Sequence, residues 1–114
     1  MRCAIPERVY EIRRTPQGVS CTVNGEPLNP RLDLWNHSPT GFEFGYGGSG
    51  PAQLALALLA DCCGDEVALA YHQQFKWLAL VRMPPQGCVM TGTQIRDVVK
   101  VLRQQRLTAN YRNN

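Results

Sequence analysis

The 114-residue sequence has only two histidines and only 18% charged residues. Its five cysteines form no C-x-x-C pair, so a structural zinc site lacks its usual ligand spacing. No long hydrophobic run exists. The longest, Leu54 to Ala60, is too short to span a bilayer. The first residues, Met1 to Glu7, contain no apolar signal core, so a secreted form is not expected. No paired carboxylates, metal cluster or Cys–His pair can be read from local spacing. There is also no internal repeat and no linker-like stretch.

Against these absences, hydrophobic residues make up 44%, too many for a disordered chain. A chain of this length buries roughly 60–70% of its unfolded surface and holds a core without staples. The expectation is a single cytoplasmic domain over residues 1–109, with a frayed tail at 110–114. A reduced setting suits all five cysteines, and adjacent Cys62 and Cys63 read as small buried hydrophobes.

The net charge of +3 is unevenly placed. Residues 1–50 balance to zero and residues 51–90 to −1, whereas residues 91–114 carry +4. This excludes an acidic nucleic-acid mimic and allows a basic surface for phosphates or an acidic partner.

Alternation over Arg8–Arg13 and Val19–Val23 predicts two antiparallel strands, joined by a four-to-five-residue loop around Thr15-Pro16-Gln17-Gly18. Asn24-Gly25 predicts a tight turn into a short third strand at Glu26-Pro27-Leu28. Leu32, Leu34 and Trp35 suggest a segment lying against the core, and Phe42-Glu43-Phe44 an extended piece. Pro51 suits the first position of a helix capped by Ser49 or Gly50. That helix, apolar on nearly every side except at Gln53 and Asp61, belongs in the middle of the core and ends at Gly64. Asp65 is expected to cap a second helix with an apolar stripe of Val67, Ala70, Tyr71, Phe75, Leu78 and Ala79, stopped by Pro84-Pro85. Thr91 and Gln94 fit a capping box for a third helix. Ile95, Val98, Val99 and Leu102 share one face of it, and Arg96, Lys100 and Arg103 are read on the opposite face. Strands followed by helices make an α+β fold: a β-hairpin or small three-to-four-stranded sheet packed against three C-terminal helices.

Gly45-x-Gly47-x-x-Gly50 matches the glycine pattern of dinucleotide-binding turns. The second strand and ribose-binding acid of that unit are missing, no Lys follows, and Pro51 stands where G-x-S-x-G needs a glycine. A packing turn around Tyr46 is therefore preferred to a ligand cradle.

The run Ser38-Pro39-Thr40-Gly41-Phe42-Glu43-Phe44-Gly45-Tyr46-Gly47-Gly48-Ser49-Gly50-Pro51-Ala52-Gln53-Leu54-Ala55-Leu56-Ala57 resembles the hallmark of a family of small domains of unknown function from bacteria, phages and other mobile elements. Phe44 stands where that run has Trp. Gly64-Asp65-Glu66, Phe75-Lys76-Trp77 and Thr91 extend the similarity. The resemblance implies no established activity. It does imply a bacterial or mobile-element setting in which such proteins act on a host or rival protein.

Two functions follow as expectations. The first is a non-enzymatic binding module for a protein or nucleoprotein complex, such as a host defence system. Its contacts would be Arg96, Lys100 and Arg103 and the 37–50 loop with His37, Tyr46, Gly47, Gly48, Ser49 and Gly50. Nucleic acid could be met through the basic last helix. The second is a phosphate or nucleotide site, or a weak hydrolase, at the Gly45–Gly50 loop with His37, Ser49 and Asp61 as polar groups. No cofactor, metal or membrane is expected in either.

Overall fold

The structure, a computed structural model, describes residues 7–113; Cys3 and Asn114 lie outside them. The elements are β1 (Val9–Thr15), β2 (Gly18–Val23), β3 (Glu26–Pro27), α1 (Ser49–Cys63), α2 (Asp65–Phe75), a π-helical turn (Lys76–Leu80), β4 (Gly87–Thr91) and α3 (Gly92–Asn113). The fold is α+β. Its four-stranded antiparallel sheet has the order β3-β2-β1-β4.

Tyr10, Ile12, Cys21 and Val23 point to one face of the sheet and are buried, as the period of two requires. Thr15 pairs with Gly18, so the first hairpin closes through Pro16-Gln17 alone, shorter than the expected loop. Val23 pairs with Glu26 across Asn24-Gly25, where both turn residues have positive φ (50° and 87°). That backbone suits a type I′ turn, which matches strand twist and favours Asn-Gly.

The fourth strand carries no clear sequence signal. It joins β1 by pairing Val9 with Thr91 and Arg13 with Gly87. Gly87 is needed there: its φ is +105°, and a Cβ would lie 1.9 Å from the Ile12 carbonyl oxygen. The Phe42 segment contributes a single bridge to Val19.

The first helix lies across the buried sheet face, and every residue from Gly50 to Ala60 is buried. It begins two residues before Pro51. Its cap is Gly48, with no side-chain cap, rather than Ser49 or Gly50. Gly64, at φ 97°, closes it and also caps α2, so Asp65 is not the cap. The Asp65 carboxylate instead receives Arg31 at 2.8 and 3.0 Å.

The buried side of α2 is Ala68, His72 and Phe75, continued by Lys76 and Leu80. Ala70 and Leu78 of the expected stripe are exposed, while Val67, Tyr71 and Ala79 are half-buried. The π turn widens the helix after Phe75 and resets which side chains face inward. Leu32 and Trp35 are exposed and only Leu34 packs against the core, which corrects the reading of that segment.

Thr91 and Gln94 exchange the reciprocal bonds of a capping box at 2.9 and 3.1 Å. Ile95, Val99 and Leu102 are buried, with Val98 beside them. Among the described residues, no helix is long and apolar enough to cross a membrane.

Leu58 is fully enclosed. Leu58→Ala should lower the unfolding free energy by about 3 kcal/mol in urea titrations. Leu58→Asp should abolish cooperative folding, because an unpaired buried charge consumes most of a small domain's stability. A soluble Leu58→Asp variant with a cooperative melt would show that α1 is not a core helix.

Candidate binding site

The loop before α1 is fixed by one side chain. Gln53 is fully buried in the second turn of the helix. Its Nε2 donates to the carbonyl oxygens of Pro30 (2.5 Å) and Trp35 (3.0 Å). Its Oε1 accepts from the backbone N–H groups of His37 (2.7 Å) and Ser38 (3.1 Å). Both amide donors and both acceptor positions are thus used, which is what lets a primary amide sit in an apolar interior. Arg31 ties the same loop to the start of α2 through Asp65 and also bonds Asp33. In the sequence Gln53 stands out only as an exception in an apolar helix, and that exception is the signal of its role.

His37, so positioned, meets a residue of α2. Its Nε2 lies 3.0 Å from Nε2 of His72. The Nδ1 of His72 is 2.8 Å from the Ala68 carbonyl, which can only accept, so Nδ1 carries the proton. In the neutral pair His37 therefore donates and His72 accepts. Trp35 stacks on His37 with centroids 4.6 Å apart at 19°, and meets His72 edge-on at 5.4 Å.

One turn beyond His72, Lys76 is itself buried. Its Nζ donates to the Gly47 carbonyl at 3.0 Å and lies 5.0 Å from the Trp77 ring centre. Burial holds His37 below the ordinary imidazole value, with His72 and Lys76 adding to it. Burial does the same for His72, and Lys76 adds to it against the opposing bonds to Ala68 and Leu69. The two rings are a neutral hydrogen-bonded pair. Among the described residues, no group of three or more His, Cys, Asp or Glu could hold a metal.

The glycines serve close packing. A Cβ on Gly47 would come within 2.3 Å of the Trp77 ring, on Gly48 within 2.4 Å of the Tyr46 ring, and on Gly50 within 2.6 Å of the Glu43 Cβ. Gly45 has φ +91° and donates its N–H to Leu80 at 3.0 Å. A hollow of about 270 Å³ opens beside the helix start, lined among others by Ser38, Tyr46 and Ser49. The Glu43 side chain also lines it, paired with Arg14 at 3.1 Å, so the hollow carries a carboxylate that disfavours a phosphate.

Of the polar groups read together for hydrolysis, Asp61 lies apart. Asp61 is twelve residues along α1 from Ser49, about 18 Å away on the helix rise. There it accepts two bonds from Arg8, both 2.9 Å, and one from the Tyr10 hydroxyl at 2.6 Å. Burial alone would raise its carboxyl, but those donors outweigh it and leave it below the ordinary value.

A second surface lies on α3. Arg96, Lys100 and Arg103 border a groove of about 270 Å³ whose apolar side chains are Cys63, Val67 and Val99. Each residue advances about 100° around a helix, so this stripe lies beside the buried one rather than opposite it. Arg96 also reaches Glu7 at 3.6 Å and Thr93 at 3.1 Å. Cys62 and Cys63 are half-buried, not core hydrophobes. A bond from the Cys63 thiol, helped by Tyr10 and Arg96, draws the Cys62 thiol down to about 7 against the effect of burial. Burial drives Cys21 the other way, to about 12.

The histidine pair should make stability depend on pH. Both rings take up protons less readily folded than unfolded, so the unfolded chain binds more protons below its ordinary value near 6.5. Stability should be level above pH 7 and fall from about 6.5 downward. Replacing both histidines by Gln should flatten that limb between pH 7.5 and 5.5 in denaturant titrations. An identical slope in the double variant would contradict the neutral pair.

Searches among curated proteins and among solved structures return no match. The model of one family matches residues 10–101, a span that holds Gln53, both histidines and all of the groove except Arg103. The chain belongs to that family, a family of unknown function (DUF6166).

Proposed function

We propose that this protein is a small non-enzymatic binding module that docks on a protein or nucleoprotein complex. The observation that carries the reading is a set of exposed aromatics on a rigid frame. Trp35, Tyr46 and Trp77 are 49%, 50% and 60% exposed. They are held through the Gln53 amide, the His37–His72 pair, the Lys76–Gly47 bond and the glycine contacts. Aromatic side chains already fixed before binding lose little entropy on contact and dominate interface energies. The basic groove of α3 offers a second contact. The resemblance to bacterial and mobile-element domains favours a host or rival protein as partner, with modulation of a defence system as the role.

The alternative, a phosphate or nucleotide site at the glycine loop, finds less support. Its glycines are occupied by packing, Glu43 lines its hollow, and Asp61 lies about 18 Å along α1 from Ser49.

Trp35→Ala and Trp77→Ala should each leave a cooperative melt and weaken partner capture by about thirtyfold, the effect of losing a hot spot of about 2 kcal/mol. Affinity capture from bacterial lysate, followed by titration of the recovered partner, measures this. Recovery of the same partner at unchanged affinity by both variants would contradict the reading. Nucleotides and inorganic phosphate should leave the melting temperature unchanged. A concentration-dependent rise would transfer the function to the glycine loop.

A further inference from the structure

We infer that the groove on α3 receives an acidic amphipathic segment of a partner protein, its apolar side chains on the floor and its carboxylates on the rim. This rests on the docking reading above and gives the partner its chemistry.

The groove has two unlike parts. Its floor is Cys63 at the end of α1, Val67 in the first turn of α2 and Val99 of α3. Its rim is Arg96, Lys100 and Arg103, and no acidic side chain lines it. The rim residues recur at i, i+4 and i+7, so they extend over about 10 Å along the helix. Carboxylates one and two turns apart on a partner helix have the same spacing. Among the described residues, Lys100 and Arg103 form no ion pair, while Arg96 is shared with Glu7 at 3.6 Å. Arg106, further along, is already committed: it donates to the Ala70 carbonyl at 2.7 Å and covers the Tyr71 ring at 4.1 Å. The rim therefore stops at Arg103, and the groove has a definite length.

Charge complementarity selects the occupant. The segment 91–114 carries +4, the chain's entire basic surplus. Arginine matches a carboxylate with two parallel bonds. A nucleic-acid backbone would satisfy the rim but leave the apolar floor uncovered, and the lining offers no aromatic ring on which a base could stack. An acidic segment with apolar side chains at helical spacing covers both parts at once, in the manner of a helix laid in a groove.

The test uses the full chain and a fluorescein-labelled helical peptide of about 14 residues, with leucines at i, i+3, i+4 and i+7 and glutamates flanking them. Comparison probes are a peptide of the same composition in scrambled order, a Glu→Lys peptide and a single-stranded oligonucleotide. The patterned peptide should bind at least about tenfold tighter than each of the three. Lys100→Ser with Arg103→Ser should weaken it by about tenfold or more with the melting temperature retained, and Val67→Ser by about fivefold with a cooperative melt retained. Methyl resonances of Val67 and Val99 should shift on titration. Equal binding of the scrambled peptide, or indifference to Val67→Ser, would overturn the inference by showing an unshaped charge effect. Tighter binding of the oligonucleotide would overturn it in favour of nucleic acid. If the patterned peptide fails but Arg96→Ser, Lys100→Ser and Arg103→Ser together lose a partner captured by the wild type, this inference falls and the docking reading stands. If neither the aromatic variants nor this triple variant changes capture, the docking reading falls with it.

Discussion

The arrangement of this molecule turns on the buried amide of Gln53. An unpaired amide in an apolar interior costs a few kcal/mol, and each lost partner leaves a backbone group to share that cost. Gln53 is therefore compatible with α1 only when the loop at 30–38 closes over it, and the loop is ordered only when Gln53 holds it. Everything placed by that loop inherits the constraint. Trp35 and His37 lie at the two ends of the amide's reach, and His72 and Lys76 complete the path to the glycine turn.

The frame under that loop is economical. One face of a small sheet and one helix buried on all sides form the core, and α2 and α3 cover what remains. The π turn at Lys76–Leu80 lets Lys76 face inward to Gly47 while Trp77, its neighbour, stays at the surface against the same glycine. Polar strain is small in this design. Among the described residues, no buried side-chain nitrogen or oxygen lacks a partner.

Local signals in the sequence were legible where the structure is local. Alternation in β1 and β2, the Asn24-Gly25 turn and the Thr91–Gln94 box each occupy a few adjacent residues. The burial of α1 followed from its composition. What sequence reading missed depends on distant partners. The fourth strand is five residues long, opens with a glycine and exists through pairing with β1, more than 70 residues earlier. His37 and His72 are 35 residues apart, and nothing in their spacing predicts contact. The π turn shifted the buried side of the second helix after Phe75, which no fixed helical period anticipates. The basic stripe of α3 reads as opposite the apolar face but lies beside it, and its relation to the apolar floor depends on the ends of α1 and α2.

Hydrogen exchange at the backbone amides of His37 and Ser38, compared between the wild type and Gln53→Leu, tests the central claim most directly. Leu keeps the bulk of the side chain and removes all four bonds. In the wild type both amides should be protected, because each donates to Oε1 of Gln53. In Gln53→Leu, protection at both should collapse while the amides of the β1–β2 ladder stay protected. Retained protection at His37 and Ser38 in the variant would show that the loop is held by something else, and would contradict the account.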